Sequence, residues 1–107
     1  MLKFIVVVYK RPDISKEQFL IYFRDVHGPK AAKLPGLKRY AVNFPASDPK
    51  RKPPEWSAIA EFYWENKQAM EEAWDSPQGR AATDDLTECV DLERTTWSVV
   101  QETPIIG

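Results

Sequence analysis

His27 is the only histidine in this 107-residue chain. An imidazole titrates near neutral pH and moves a proton in either direction. Beside a pocket it suits removal of a proton from carbon next to a carbonyl. Tyr40 follows a short turn and a few strand residues later. A phenol donates one directed hydrogen bond, which fits a substrate oxygen. Glu61 is expected to share a sheet face with Ile59 and Tyr63. A carboxylate among apolar neighbours has its pKa raised and serves as acid or base. Tyr9, Tyr22, Tyr63 and Trp97 are the aromatic residues placed to line such a pocket. Each has a plainer reading. His27 can cap the last carbonyls of a helix, Tyr40 can fill an interface, and Glu61 can pair with Arg39. The other aromatics can be core.

Length and composition bound what these residues serve. One domain over residues 1–107 is the expectation at this length. The apolar share of 43% supports a packed core. A net charge of −1, with both signs scattered, lacks the basic stripe of a nucleic-acid surface. No apolar run approaches the roughly 20 residues of a membrane span. Met1 to Val8 reads as a strand rather than a signal peptide. A single cysteine, Cys89, forms no internal disulfide and fits a cytoplasmic protein. It has no basic neighbour in sequence and reads as structural. One cysteine and one histidine do not make a zinc site of the usual kind.

The elements that must position these residues follow from periodicity. Leu2 to Tyr9 is a strand, apolar on both faces, so something is expected to cover both sides. Ser15-Lys16-Glu17-Gln18 is a capping box. Phe19, Tyr22, Phe23 and Val26 then recur as a helical stripe, with His27 at its edge. Gly28-Pro29 is expected to end or kink that helix, with one further turn over Pro29 to Lys33. Leu37 to Phe44 alternates as a strand. Residues 45–54 form a proline-rich connection, more an exposed loop than a lid. Trp56 to Trp64 is the next strand, and its small Ala58 and Ala60 mark the face the helices approach. Asn66 caps a second helix, and Ser76-Pro77 restarts it. Glu93 to Glu102 is the last strand.

The order β-α-β-β-α-β predicts an α+β, ferredoxin-like fold with a four-stranded antiparallel sheet. Both helices lie on one face. The other face is expected to carry Ile5, Val7, Tyr9, Tyr40, Val42, Phe44, Ile59, Glu61 and Tyr63. So apolar a surface predicts a homodimer with two sheets face to face.

Several stretches resemble the EthD family of the dimeric α+β barrel superfamily. They are Tyr9-Lys10-Arg11-Pro12, Ser15 to Phe19, Tyr22-Phe23-Arg24-Asp25-Val26-His27-Gly28-Pro29 and Leu34-Pro35-Gly36-Leu37-Lys38-Arg39-Tyr40. In the second half, Trp74-Asp75-Ser76-Pro77-Gln78-Gly79 resembles the family's "SPxG" turn, and Cys89-Val90-Asp91 its lead into the last strand. The resemblance implies a homodimeric barrel with a pocket between sheet and helices. It also implies relatives that act on small cyclic or aromatic compounds, such as lactone isomerases and polyketide cyclases, with no metal and no organic cofactor. Other proteins of the superfamily bind haem.

Two functions emerge. The first is a small cofactor-independent isomerase, cyclase or lyase, in which His27 moves a proton on a carbonyl-bearing cyclic or aromatic substrate. Tyr40 and Glu61 would orient or polarise that substrate. The second is a non-catalytic protein that binds a hydrophobic metabolite or supports a pathway enzyme.

Overall fold

The structure, a computed structural model, describes residues 1–107. Its strands are β1 (Leu2–Val8), β2 (Arg39–Asn43), β3 (Ala58–Trp64) and β4 (Thr96–Val100). They form one antiparallel sheet in the order β2-β3-β1-β4. Helical segments α1 (Lys16–Tyr22), α2 (Gly28–Ala31), α3 (Lys67–Asp75) and α4 (Pro77–Asp85) complete the β-α-β-β-α-β order. This is the ferredoxin-like α+β fold the sequence predicts. No helix is long and apolar enough to cross a membrane.

One face of the sheet packs on the helices. Val6, Val8, Ala58, Ala60, Phe62 and Trp64 meet Phe19, Phe23, Ala31, Met70, Ala73 and Ala82 in a single buried cluster. The pairing of Val6 with Ala60 and Val8 with Ala58 puts these residues on the same side. The small alanines admit the helices, as their spacing predicts.

The face assigned to β2 is corrected. Tyr40 pairs with Phe62 and Val42 with Ala60, so Tyr40, Val42 and Phe44 belong to the helix side. The alternative would bury Arg39, Ala41 and Asn43, and the hydrophobic effect selects the more apolar set. The open face is therefore more polar than expected. It joins Ile5, Val7 and Ile59 to Lys3, Arg39, Asn43, Glu61 and Tyr63.

The first helix does not stop at Gly28-Pro29. A π-helical turn over Phe23–His27 leads directly into α2. The Gly28 N–H donates to the Phe23 carbonyl, five residues back. Pro29 then sits in the first turn of α2, where a missing N–H costs nothing. Ser15 and Gln18 form the capping box at the other end, with bonds of 3.0 and 2.9 Å.

Two glycines fix the corners. Gly36 takes φ +70, and the Pro35 carbonyl beside it accepts the Trp64 indole N–H at 3.0 Å. At Gly79 a Cβ would lie 2.3 Å from the Ala73 carbonyl oxygen. Ser76 caps α4 by accepting the Gly79 N–H at 3.1 Å, so the Ser-Pro-Gln-Gly run packs α4 tightly on the end of α3.

Candidate active site

The π turn keeps Phe19, Phe23 and His27 stacked along one face, with ring centroids 5.0 and 4.9 Å apart. His27 is thereby carried into the interior, where only 4% of it is exposed. Its partner is Asp85 from the last turn of α4, itself buried. His27 Nδ1 lies 3.1 Å from Asp85 Oδ2. Asp85 Oδ1 accepts the Tyr22 hydroxyl at 2.7 Å and the Lys30 ammonium at 2.9 Å. The helical run over residues 16–31 thus sends three donors to one carboxylate, and α4 supplies the acceptor.

The electrostatics assign the protons. Burial pushes the Asp85 carboxyl up, but the hydrogen bonds from Tyr22, Lys30 and His27 together hold it below the usual range. It is a carboxylate near neutral pH. Burial lowers the His27 pKa from its ordinary 6.5 and outweighs the opposing pull of Asp85. The imidazole is therefore neutral at pH 7. A neutral ring facing a carboxylate through Nδ1 carries its proton there, which leaves Nε2 as an acceptor. The bond to Asp85 also raises the Tyr22 pKa. His27 does not cap helical carbonyls, contrary to the plainer expectation, because the helix continues past it.

His27 borders an apolar slot between helices and sheet, with Val6, Ala60, Phe62, Trp74 and Trp97 among its walls. Trp97, on edge strand β4, is 42% exposed and stands at its outer side. Two buried donors have no acceptor: the indole N–H of Trp74, which lines the slot, and the hydroxyl of Tyr40, which does not. Both rings pack on Phe62, with centroids 5.4 and 4.5 Å away. Burial pushes the Tyr40 phenol up to about 12, so it remains a donor. Unpaired buried donors are rare and call for an explanation.

The structure separates the remaining candidates from His27. Glu61 faces the open side, 2.6 Å from Lys3 Nζ, and it also accepts from Asn43. Those bonds lower its pKa, where a raised value was expected among apolar neighbours. Tyr63 stands beside it, with the Lys3 and Arg39 cations 5.3 and 5.5 Å from its ring. Tyr9 borders a different and larger cavity, walled in part by the 45–54 loop. The Cys89 thiol is buried and pushed up to about 12, chiefly by burial.

Sequence reading missed Asp85, Lys30 and Trp74. Asp85 had a signal: it lies three residues after Ala82 and four before Cys89, on the apolar stripe of its helix. A carboxylate at a stripe position is rarely buried unless paired. Lys30 and Trp74 had none, since either fits an ordinary amphipathic helix.

Three comparisons place the chain among known proteins. Residues 11–93 match the EthD domain model. No curated protein sequence matches. An ethyl tert-butyl ether degradation (EthD) family protein from Bacillus halodurans C-125 superposes with TM-score 0.81 at 22% identity, covering 96% of this chain and 99% of that one. A dimeric ferredoxin-like protein from Bacteroides fragilis gives TM-score 0.64 at 19% identity, with 92% and 91% covered. SnoaB, a cofactor-independent oxygenase from Streptomyces nogalater, gives 0.67 at 13% identity, with 98% and 95% covered. At such identities the likeness concerns the fold, while the domain match spans His27 and Asp85 and most of the chain. The chain belongs to the EthD family.

Proposed function

We propose that the protein is a small cofactor-independent enzyme, an isomerase, cyclase or lyase, that moves a proton on a carbonyl-bearing cyclic or aromatic compound. The observation that carries this reading is a buried, neutral His27 tethered through Nδ1 to Asp85 at the wall of an apolar slot. Asp85 fixes the tautomer, so Nε2 is the proton acceptor. Nε2 takes a proton from carbon next to the carbonyl, and the imidazolium so formed is stabilised by the Asp85 carboxylate. The same Nε2–H returns the proton at a second position. Trp74, which lines the slot, is a donor available to the developing oxyanion and gives up no protein acceptor to serve, whereas Tyr40 does not line the slot. Glu61 and Tyr63, on the opposite face, have no part in this scheme, and Tyr9 lies in another cavity. In this reading the protein is a cytoplasmic homodimer. A solved dimeric protein of the same fold supports that assembly.

A binding or accessory role is the competing reading. The slot is about 20 Å³ as it stands, so in either reading a ring enters only if a wall residue moves. The two readings separate in heavy water. A panel of lactones, cyclic enones and aromatic ketones is incubated with the protein, and deuterium uptake beside the carbonyl is followed by NMR. Catalysis predicts uptake that falls by about 10²–10⁴-fold in His27→Ala. Uptake unchanged in that variant overturns the proton-transfer role. Ligand recovered bound and unlabelled supports the binding role.

A further inference from the structure

A cavity of about 560 Å³ shares no residue with the slot at His27. Its size lies in the range of small-molecule sites, about 300–1,000 Å³. Phe19, Phe44, Trp56 and Tyr9 supply aromatic walls, and Pro45, Pro53 and Pro54 supply the loop side. Proline fixes φ, so this wall is held open by a stiff backbone rather than a floppy loop.

At its rim the Arg94 guanidinium lies 4.2 Å from the centroid of the Tyr9 ring. Stacking of this kind orients a guanidinium and leaves its N–H edge free for a planar acceptor. No protein group accepts a hydrogen bond from Arg94; Glu55 approaches only to 3.5 Å and is 78% exposed. Lys16 adds a cation with no acidic partner. Lys10 adds another, anchored by Nζ donation to the Ile14 carbonyl at 2.7 Å. Against these stand Glu55 and Asp91, and Asp91 already accepts the Glu93 N–H at 3.1 Å. Aromatic walls with a stacked guanidinium, whose only protein anion is the exposed Glu55, select a flat ring bearing an anion.

We propose that this cavity is a second ligand site, for an aromatic carboxylate whose ring lies against Trp56 and Phe44 and whose carboxylate takes the edge of Arg94. The site is independent of the proton-transfer reading, since no group in it touches His27.

2-Naphthoate and the neutral 2-naphthamide serve as probes, with binding measured by calorimetry and by backbone 15N shifts. Naphthoate is expected to bind and to shift Tyr9, Trp56, Ser57 and Arg94. Arg94→Gln should weaken naphthoate about tenfold, as expected for loss of a charge-assisted pair, and leave naphthamide unaffected. His27→Ala should bind naphthoate like the parent chain, whatever its effect on proton exchange. Shifts centred on Trp74 and Trp97, equal affinity for acid and amide, or no binding at about 1 mM would each overturn the proposal.

Discussion

Each face of the sheet sets carboxylate against a lysine and a tyrosine, and the two faces use them differently. On the helix side, Asp85 gathers a tyrosine, a lysine and a histidine. On the open side, Glu61 and Glu102 gather Lys3, and the Tyr63 hydroxyl reaches Glu102. Asp85 is 7% exposed, whereas the Glu61 and Glu102 side chains are 24% and 54% exposed. Water screens the open-side cluster and can replace any partner it loses. Asp85 and His27 have no such substitute, so their geometry is enforced, while Lys30 reaches solvent. The buried cluster also holds the chain's only imidazole. Burial and the presence of a histidine together separate a device that orients an imidazole from a surface ion-pair ladder.

That contrast can be broken first at its foundation. Gly79→Ala puts a methyl onto the backbone carbonyls of Ala73 and Trp74 and displaces the helix that carries Asp85. Its cost should be about 3 kcal/mol in urea unfolding, and a loss well below that would mean that α4 shifts freely.

Asp85→Leu removes the acceptor from buried His27, from half-buried Tyr22 and from Lys30. It should cost nearly as much, about 3 kcal/mol, while Glu61→Leu should cost less than about 1 kcal/mol. Equal losses would erase the distinction between the two faces.

The pH dependence is a smaller and sharper probe. The unfolded chain binds a proton on His27 near 6.5, and burial delays that in the folded chain to lower pH. Between the two values the unfolded state holds more protons, so stability rises with pH. The gain is complete above about pH 6.5 and shrinks as the pH falls below it. His27→Ala should flatten that slope. Glu61→Gln should leave it intact, because the Glu61 pKa is lowered and its contribution is lost only below about pH 4.5. Smallest of all, raising salt from about 0.1 to 1 M should weaken the Lys3–Glu61 contribution and spare Asp85.

The fold was readable because each element carried its own local signature. The capping box placed α1, and the small alanines of β3 marked the helix side. The Leu-Pro-Gly and Ser-Pro-Gln-Gly corners matched residues that the packing requires. The face of β2 was not readable with the same security, since an alternating strand offers two assignments and only the partner register decides between them. The further turn after Gly28-Pro29 was legible, but the π turn that joins it to the first helix leaves no residue-level mark. Of the site, His27 and Tyr22 were singled out separately. What joins them is Asp85, some 58 residues away from His27 in sequence, and long-range pairing of that kind leaves no trace in local pattern.

Because His27 is the sole histidine, its ring can be followed without ambiguity. A 15N NMR titration of the imidazole tests the central claim directly. The account predicts a pKa below 6.5 and, at pH 7, a neutral ring protonated on Nδ1, with Asp85→Asn disturbing both. A pKa at or above 6.5, or a proton resident on Nε2, would contradict it.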